Sequence, residues 1–239
     1  MLSELPIVLI HGLNGGGWVW RHVAPVLHAQ GHQVITPTLT GTGDRSHLLS
    51  HHITLNTHIE DVINTIAMLD LGPFVLVGHS YGGMVATCVA DRMRERVAHL
   101  VYLDALIARD GQTAFDILPE GMAKARRERV RTSGGGIAFP VPPASAVFLP
   151  DAARKAWFMR HLKPHPAGTY ETVVHLDRPA GAGMPVTYIA YEKPALGSIE
   201  PSRAYARAQT GWRYRTEPVP HDAEIVFPEK VAGFITESL

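Results

Sequence analysis

A serine flanked by glycines, Gly78-His79-Ser80-Tyr81-Gly82-Gly83, directly follows the apolar run Phe74-Val75-Leu76-Val77 and precedes a segment of helical period. Strand, sharp turn and helix in that order hold a nucleophile on strained backbone. Glycine at 78 and 82 removes the Cβ atoms that would collide with neighbouring main chain. Such a turn lifts the Ser80 hydroxyl clear of the sheet and leaves it at a helix N-terminus, where unpaired NH groups and the macrodipole favour an oxyanion. Gly-x-Ser-x-Gly alone is a weak signal, because both residues are common in turns, and its place at the end of a predicted central strand makes it specific. His79 adjoins Ser80, but neighbours in such a turn point apart, so His79 is read as a packing residue.

Ser80 needs a base, an oxyanion site and an acid. His221, in Pro218-Val219-Pro220-His221-Asp222-Ala223, is the one histidine of fourteen that combines a loop after the last strand with a following helix to hold it. His47, His51, His52 and His58 lie in or beside a polar loop, but their spacing matches no ligand pattern, so no metal is expected. The first strand runs into His11-Gly12-Leu13-Asn14-Gly15-Gly16-Gly17, a loop whose amides can approach a substrate oxygen closely. The Leu13 and Tyr81 amides are the expected oxyanion donors. No Lys-Ser or Lys-Thr follows these glycines and no dinucleotide fingerprint is present, so no nucleotide or other cofactor is expected.

Two strand ends can supply the acid. Glu192 follows the penultimate strand in Tyr188-Ile189-Ala190-Tyr191-Glu192-Lys193-Pro194, and Asp104 closes Val101-Tyr102-Leu103-Asp104. An aspartate that ends an apolar strand at the catalytic edge is costly to bury without a partner. Asp104 is therefore preferred, with Glu192 as the fallback and Asp110 and Asp222 behind it. Aromatic and small residues near these loops, Gly12, Trp18, Leu106, Phe115, Phe148, Trp157 and Phe158, are candidate pocket walls for an apolar part of a substrate.

The elements that must position these groups alternate between short β-branched runs and helical segments, the pattern of a parallel sheet built from βαβ units. Strands are predicted at 7–11, 33–36, 74–78, 97–104, 186–191 and 212–216, and helices at 18–30, 55–71, 81–94, 198–209 and 223–237. Gly31 and Gly72-Pro73 stop the first two helices, and Ser198 with Pro201 suits the start of the fourth. About eighty residues between the fourth and fifth strands break the alternation. They read as an inserted helical cap at 108–182 within a single domain spanning 1–239. The cap holds helices at 119–131 and 150–162, a Gly-rich hinge at 133–136, a turn at Pro140, Pro142 and Pro143, and a third helical stretch at 169–176.

With 239 residues, 46% of them hydrophobic, the chain can bury one sizeable core. Basic and acidic residues both total 22, so no net field would hold a polyanion, and nucleic acid is not expected as a partner. The one basic run, Arg126, Arg127, Arg129 and Arg131, has helical spacing and reads as a solvated helix face. A single cysteine, Cys88, permits neither an internal disulfide nor a thiolate metal cage, which fits a reducing compartment. Met1-Leu2-Ser3-Glu4-Leu5-Pro6 enters the first apolar run without a basic flank or a cleavage-like site, and no apolar stretch reaches the length of a membrane span. A soluble cytoplasmic protein without a membrane partner is expected, and homodimer formation is left open.

With loop, elbow and late histidine in place, the chain resembles the α/β-hydrolases over nearly its whole length. Val8-Leu9-Ile10-His11-Gly12, Gly16-Gly17-Trp18-Val19-Trp20, Pro25-Val26-Leu27, Gly31-His32-Gln33-Val34 and Val75 through Met84 are similar to the plant methyl-ester esterase and hydroxynitrile lyase group and its bacterial esterase relatives. The resemblance implies a mostly parallel sheet flanked by helices, a helical cap after the strand that follows the nucleophile helix, and a cofactor-free serine hydrolase acting on a small-molecule carboxylic ester. A carbon-carbon or amide hydrolase would use the same triad, and a non-catalytic binding protein would keep the pocket, though an intact Ser80 and His221 argue against the latter. Plant lyases of this type carry Thr at the position of Gly12 and Lys at that of Asp222, so the lyase activity is disfavoured. Epoxide hydrolases and dehalogenases place Asp where this chain has Ser80. Pro194 stands where the family usually has its acid.

Overall fold

The computed structural model describes residues 5–239, and the reading of Met1 to Glu4 as free of a leader lies outside the described residues. Four short strands begin the chain's sheet, β1 (Ile7–Ile10), β2 (Val34–Ile35), β3 (Phe74–His79) and β4 (Val97–Leu103). Helices α1 (Val23–Ala29), α2 (Leu55–Met68) and α3 (Gly82–Arg92) alternate with them. An insertion follows, made of α4 (Ala114–Ile117), α5 (Glu120–Ser133), β5 (Ala138–Phe139), α6 (Ala152–His161), β6 (His165–Pro166) and α7 (Gly168–Glu171). The sheet resumes with β7 (Val186–Tyr191), α8 (Glu200–Arg207), β8 (Arg213–Glu217), α9 (Ala223–Val226) and α10 (Pro228–Thr236).

Six strands pair in the order β2-β1-β3-β4-β7-β8, every pair parallel. A parallel sheet is covered on both faces, and the side-chain period of two divides each strand between two cores. Val8, Ile10, Leu76, Tyr102 and Tyr188 meet Leu55, Ile59, Val62 and Ile66 of α2 and Met84, Val85 and Val89 of α3. Ile7, Leu9, Val75, Val77, Val101 and Ile189 meet Val23 and Leu27 of α1 and Val231 and Ile235 of α10 on the other face. The apolar residues of α2 recur every three or four positions, and a Thr54–Thr57 capping box closes its start. Sheet order changes direction at β1, which has β2 on one side and β3 on the other. Ligands of open parallel sheets bind beyond the carboxyl ends of strands at such a switch point. The loops after β1, β3 and β4 and the one after β8 all leave that edge.

Four helices differ from the sequence expectation, the one at 198–209 only in that the 3-10 turn Gly197–Ile199 precedes α8. The segment at 18–30 is a 3-10 turn, Gly17–Trp20, followed by α1, because Pro25 fits only in the first turn of a helix. The segment at 223–237 is broken between α9 and α10 by Pro228, which has no NH to continue α9 and starts α10 instead. The third insertion helix is the single turn α7, which ends at an extended Thr172. Inside the insertion β5 and β6 pair antiparallel, Ala138 with Pro166 and Phe139 with His165. The loop after β1 is tied to this layer. Asn14 Nδ2 donates to the carbonyls of Lys163 at 2.8 Å and Phe139 at 3.3 Å, and the Lys163 NH donates back to Asn14. Among the described residues no helix is long and apolar enough to cross a membrane.

Candidate active site

Ser80 sits between β3 and α3 with φ of 54°, a left-handed conformation that a non-glycine residue adopts only when its surroundings impose it. Ser80 NH donates to Leu103 O, and Ser80 O accepts from the amides of Gly83 and Leu106. The tight turn depends on its glycines. A Cβ on Gly82 would lie 2.6 Å from Ile10 O and 2.7 Å from His11 O, so β1 and the start of α3 could not approach. A Cβ on Gly12 would lie 2.8 Å from Ser80 Cβ, so the loop after β1 reaches the serine only because residue 12 has no side chain.

His221 arrives from the loop after β8. Its Nε2 lies 2.9 Å from Ser80 Oγ and its Nδ1 lies 2.6 Å from Asp104 Oδ2. Asp104 directly follows β4, has φ of 44° and is fully buried. Its second oxygen, Oδ1, accepts from Arg203 Nε at 2.9 Å, from Arg203 Nη2 at 2.7 Å and from Tyr191 NH at 3.2 Å. Both oxygens are therefore partnered, which is the condition for burying a carboxylate. Burial works to raise the Asp104 pKa, but the His221 hydrogen bond and charge, with Arg203, outweigh it and hold the carboxyl below its ordinary value. Burial likewise works to lower His221, and the hydrogen bond and charge of Asp104 reverse this, leaving the imidazole above its ordinary value. A hydroxyl, an imidazole of raised basicity and a fixed carboxylate in line can activate the hydroxyl as a nucleophile.

Glu192, the fallback acid, is exposed, and its NH donates to Glu217 O at the sheet edge. Asp110 Oδ1 accepts from Leu176 NH in the insertion. Asp222 lines the cavity above Ser80 without taking the place of Asp104. His79 holds the loop that carries His221: its Nε2 donates to His221 O at 2.8 Å and its ring packs edge-on to Trp20. Burial pushes the His79 imidazole down to about 3, so it stays neutral, and its Nδ1 faces Glu224 Oε1 at 3.5 Å. Burial, with Asp222 nearby, raises the Glu224 carboxyl well above the ordinary carboxylate range. Among the described residues, His79, Asp222 and Glu224 are one group with metal-like spacing, their ligating atoms within 4.8 Å of one another. No sequence signal set this group apart.

A cavity of about 250 Å³ opens on Ser80 and His221. Gly12, Leu106 and Phe158 line it, with Leu13, Leu118 and Phe139. Four residues selected from sequence by side-chain type do not line it. Trp18 and Trp157 pack edge-on with centroids 5.3 Å apart in a layer behind Phe158. Phe115 is buried behind Phe139 and Tyr170. Phe148 is 56% exposed on the outside of the insertion, beside Pro218 and Pro220. Among the described residues neither the Leu13 nor the Tyr81 amide donates to a protein acceptor, and Leu13 lines the cavity. Arg203 was missed, although its signal was present: Ile199, Ser202, Arg203 and Ala206 form the buried face of α8 and its entry, an arginine among small and apolar positions.

The model of the alpha/beta hydrolase family matches residues 7–233. The chain belongs to that family. It is 35% identical over 238 residues, 94% of this chain and 96% of the relative, to a carbendazim hydrolyzing esterase of Nocardioides sp.. It is 25% identical to methylesterase 17 of Arabidopsis thaliana over 66% of this chain and 57% of that protein. An extracellular alpha/beta-hydrolase from a Paenibacillus species superposes with a TM-score of 0.86 over 98% of both chains at 24% identity, a likeness of fold. The sheet flanked by helices is thus that of the α/β-hydrolase fold.

Proposed function

We propose that this α/β-hydrolase is a serine carboxylesterase that cleaves a small to medium ester through an acyl-enzyme, with Ser80 as nucleophile, His221 as base and Asp104 as the orienting acid. The observation that carries the reading is the unbroken hydrogen-bond line from Ser80 Oγ through both His221 nitrogens to Asp104 Oδ2. An ester-hydrolysing enzyme is also what the relatives named for that chemistry support. His221 takes the Ser80 proton as Oγ attacks the ester carbonyl, and the amides of Leu13 and Tyr81 receive the oxyanion. His221 then returns the proton to the departing alkoxide, the alcohol leaves, and water repeats the sequence on the acyl-enzyme. Residues 108–182 act as the lid of the cavity, a role supported by Leu118, Phe139, Val147 and Phe158 on its wall. Asp222 on the same wall supports esterase over lyase, since an acid does not hold a departing cyanide. The free, buried Cys88 supports a cytoplasmic location.

Treatment with a fluorophosphonate is expected to add one phosphonyl group to Ser80, seen by intact mass and peptide mapping, and Ser80→Ala should abolish it. Absence of an adduct in the native protein would sink the hydrolase reading. The pH dependence of kcat/KM tests the base. His221 acts only when neutral and its pKa lies above the ordinary 6.5. The rate should therefore be full above that raised pKa and fall about tenfold per pH unit below it. An acid limb with its midpoint below 6.5 would contradict the influence assigned to Asp104.

A further inference from the structure

The four arginines of the basic run do not share one solvated face. Arg127 stacks over the Phe115 ring at 3.9 Å, and Arg131 makes two bonds to Glu128 on the outside of α5. Arg126 and Arg129 turn the other way and line the cavity that holds Ser80. Arg126 is half-buried, and its Nη1 donates to the hydroxyl of Tyr170 at 3.1 Å. Tyr170 stacks at 5.5 Å on Tyr81, the residue after Ser80. Arg129, exposed at the cavity mouth, donates from Nη2 to Val141 O at 3.4 Å. Among the described residues neither guanidinium has a carboxylate partner, whereas Arg203, Arg207 and Arg131 all do.

A further polar group of the cavity lacks a partner. Ser198 is 3% exposed, lines the same cavity, and its Oγ has no hydrogen bond. It adjoins Gly197, at which a Cβ would lie 3.2 Å from the Met122 Cε, a side chain of α5 one turn before Arg126. The surrounding wall is apolar, with Leu118, Phe139 and Leu162. A guanidinium in such a wall is stabilised most by an anion, which it binds with charge-assisted hydrogen bonds. The two acids of the cavity, Asp222 and Glu224, stand by contrast in the segment that directly follows His221. The basic side chains of the cavity thus come from the inserted layer, and its acids from the segment that carries the imidazole.

We propose that Arg126, Arg129 and Ser198 form a carboxylate subsite, and that the enzyme favours esters that carry a carboxylate at the end remote from the scissile carbonyl. The inference rests on the esterase reading of Ser80 and His221. A matched pair of probes tests it, 4-nitrophenyl hexanoate and 4-nitrophenyl hydrogen adipate, equal in acyl length and different only in the terminal carboxylate. The native protein should prefer the adipate in kcat/KM. Arg126→Gln should lower the adipate-to-hexanoate ratio by about tenfold, mainly through KM, as loss of a charged hydrogen bond does. Arg126→Lys should restore part of the ratio, Arg129→Gln and Ser198→Ala should each lower it less, and the outward-facing Arg131→Gln should leave it unchanged. Hydrolysis of both esters with a ratio that Arg126→Gln and Arg129→Gln do not move overturns the subsite, including the case in which Arg126 merely braces Tyr170 and both rates fall together. If neither ester is hydrolysed, the esterase reading fails on its own. Calorimetric binding of methyl hydrogen adipate to the native protein and to Arg126→Gln then decides the subsite: loss of binding in the variant supports it, and no binding to the native protein overturns it.

Discussion

Replacing Ser80 with alanine is expected to lower kcat for an activated ester by roughly 10⁴- to 10⁶-fold, the range seen when a serine nucleophile is removed from a working unit. His221→Ala should cost about as much, and the double variant little more, because hydroxyl and imidazole act as one device across the 2.9 Å Ser80 Oγ to His221 Nε2 contact. The residual rate should still exceed that in water, through the oxyanion amides and binding in the cavity. Neither variant removes core volume, since Ser80 and His221 are both partly open to the cavity, so the thermal unfolding midpoints should stay close to that of the native protein. Additive losses in the double variant would mean that the two side chains act separately. A Ser80→Ala protein with native turnover would place the nucleophile elsewhere.

What could be read from sequence divides by whether the signal is local. The elbow was legible because its requirements are packed into six residues: a buried strand, small residues at 78 and 82, and a helix start, and the structure has each of them. The strands were legible because buried parallel strands are continuous apolar runs, and four of the six begin at the predicted residue. Helix ends were less so where proline sat inside an otherwise periodic segment, as at Pro25 and Pro228. Long-range pairings left the weakest trace. Arg203 lies 99 positions from the Asp104 oxygen it holds, and residue type at either place does not announce the other. Gly12, Leu106 and Phe158 do line the cavity, and the other four expected walls do not, for the same reason. Trp18, Phe115, Phe148 and Trp157 have the right chemistry for an apolar lining, but which layer each occupies is set by the path of the insertion. That path also placed Arg126 and Arg129 along the cavity and left Arg127 and Arg131 outside it, a division that the reading of one uniform solvated face did not contain.

Asp104→Asn is the second large effect, and it separates the two acids that sequence left in competition. An aspartate at 104 fixes the His221 tautomer by accepting the Nδ1 proton at 2.6 Å, which leaves Nε2 unprotonated toward Ser80. The amide that replaces it still has an acceptor oxygen, but Arg203 Nε and Nη2 and the Tyr191 NH already converge on the inner position with three donors. The amide oxygen must therefore turn inward, and the NH2 faces His221 Nδ1. That nitrogen then accepts a hydrogen bond, the proton moves to Nε2, and the imidazole can no longer take the Ser80 proton. The expected loss in kcat is about 10⁴-fold, as for the same change in a serine protease triad. Stability should fall as well, because the Arg203 guanidinium, 3% exposed, loses its buried counter-charge, a defect of about 3 to 5 kcal/mol where a buried pair is broken. Glu192→Gln should leave both quantities near native, since that side chain is exposed at the sheet edge and makes no bond to His221. Activity and denaturant unfolding measured on the two variants decide the matter: an active Asp104→Asn, or an inactive Glu192→Gln, would move the acid to the place the family pattern suggests. Turnover that falls far more than the folded fraction does would show that Asp104 orients the base as well as holding Arg203 in the core.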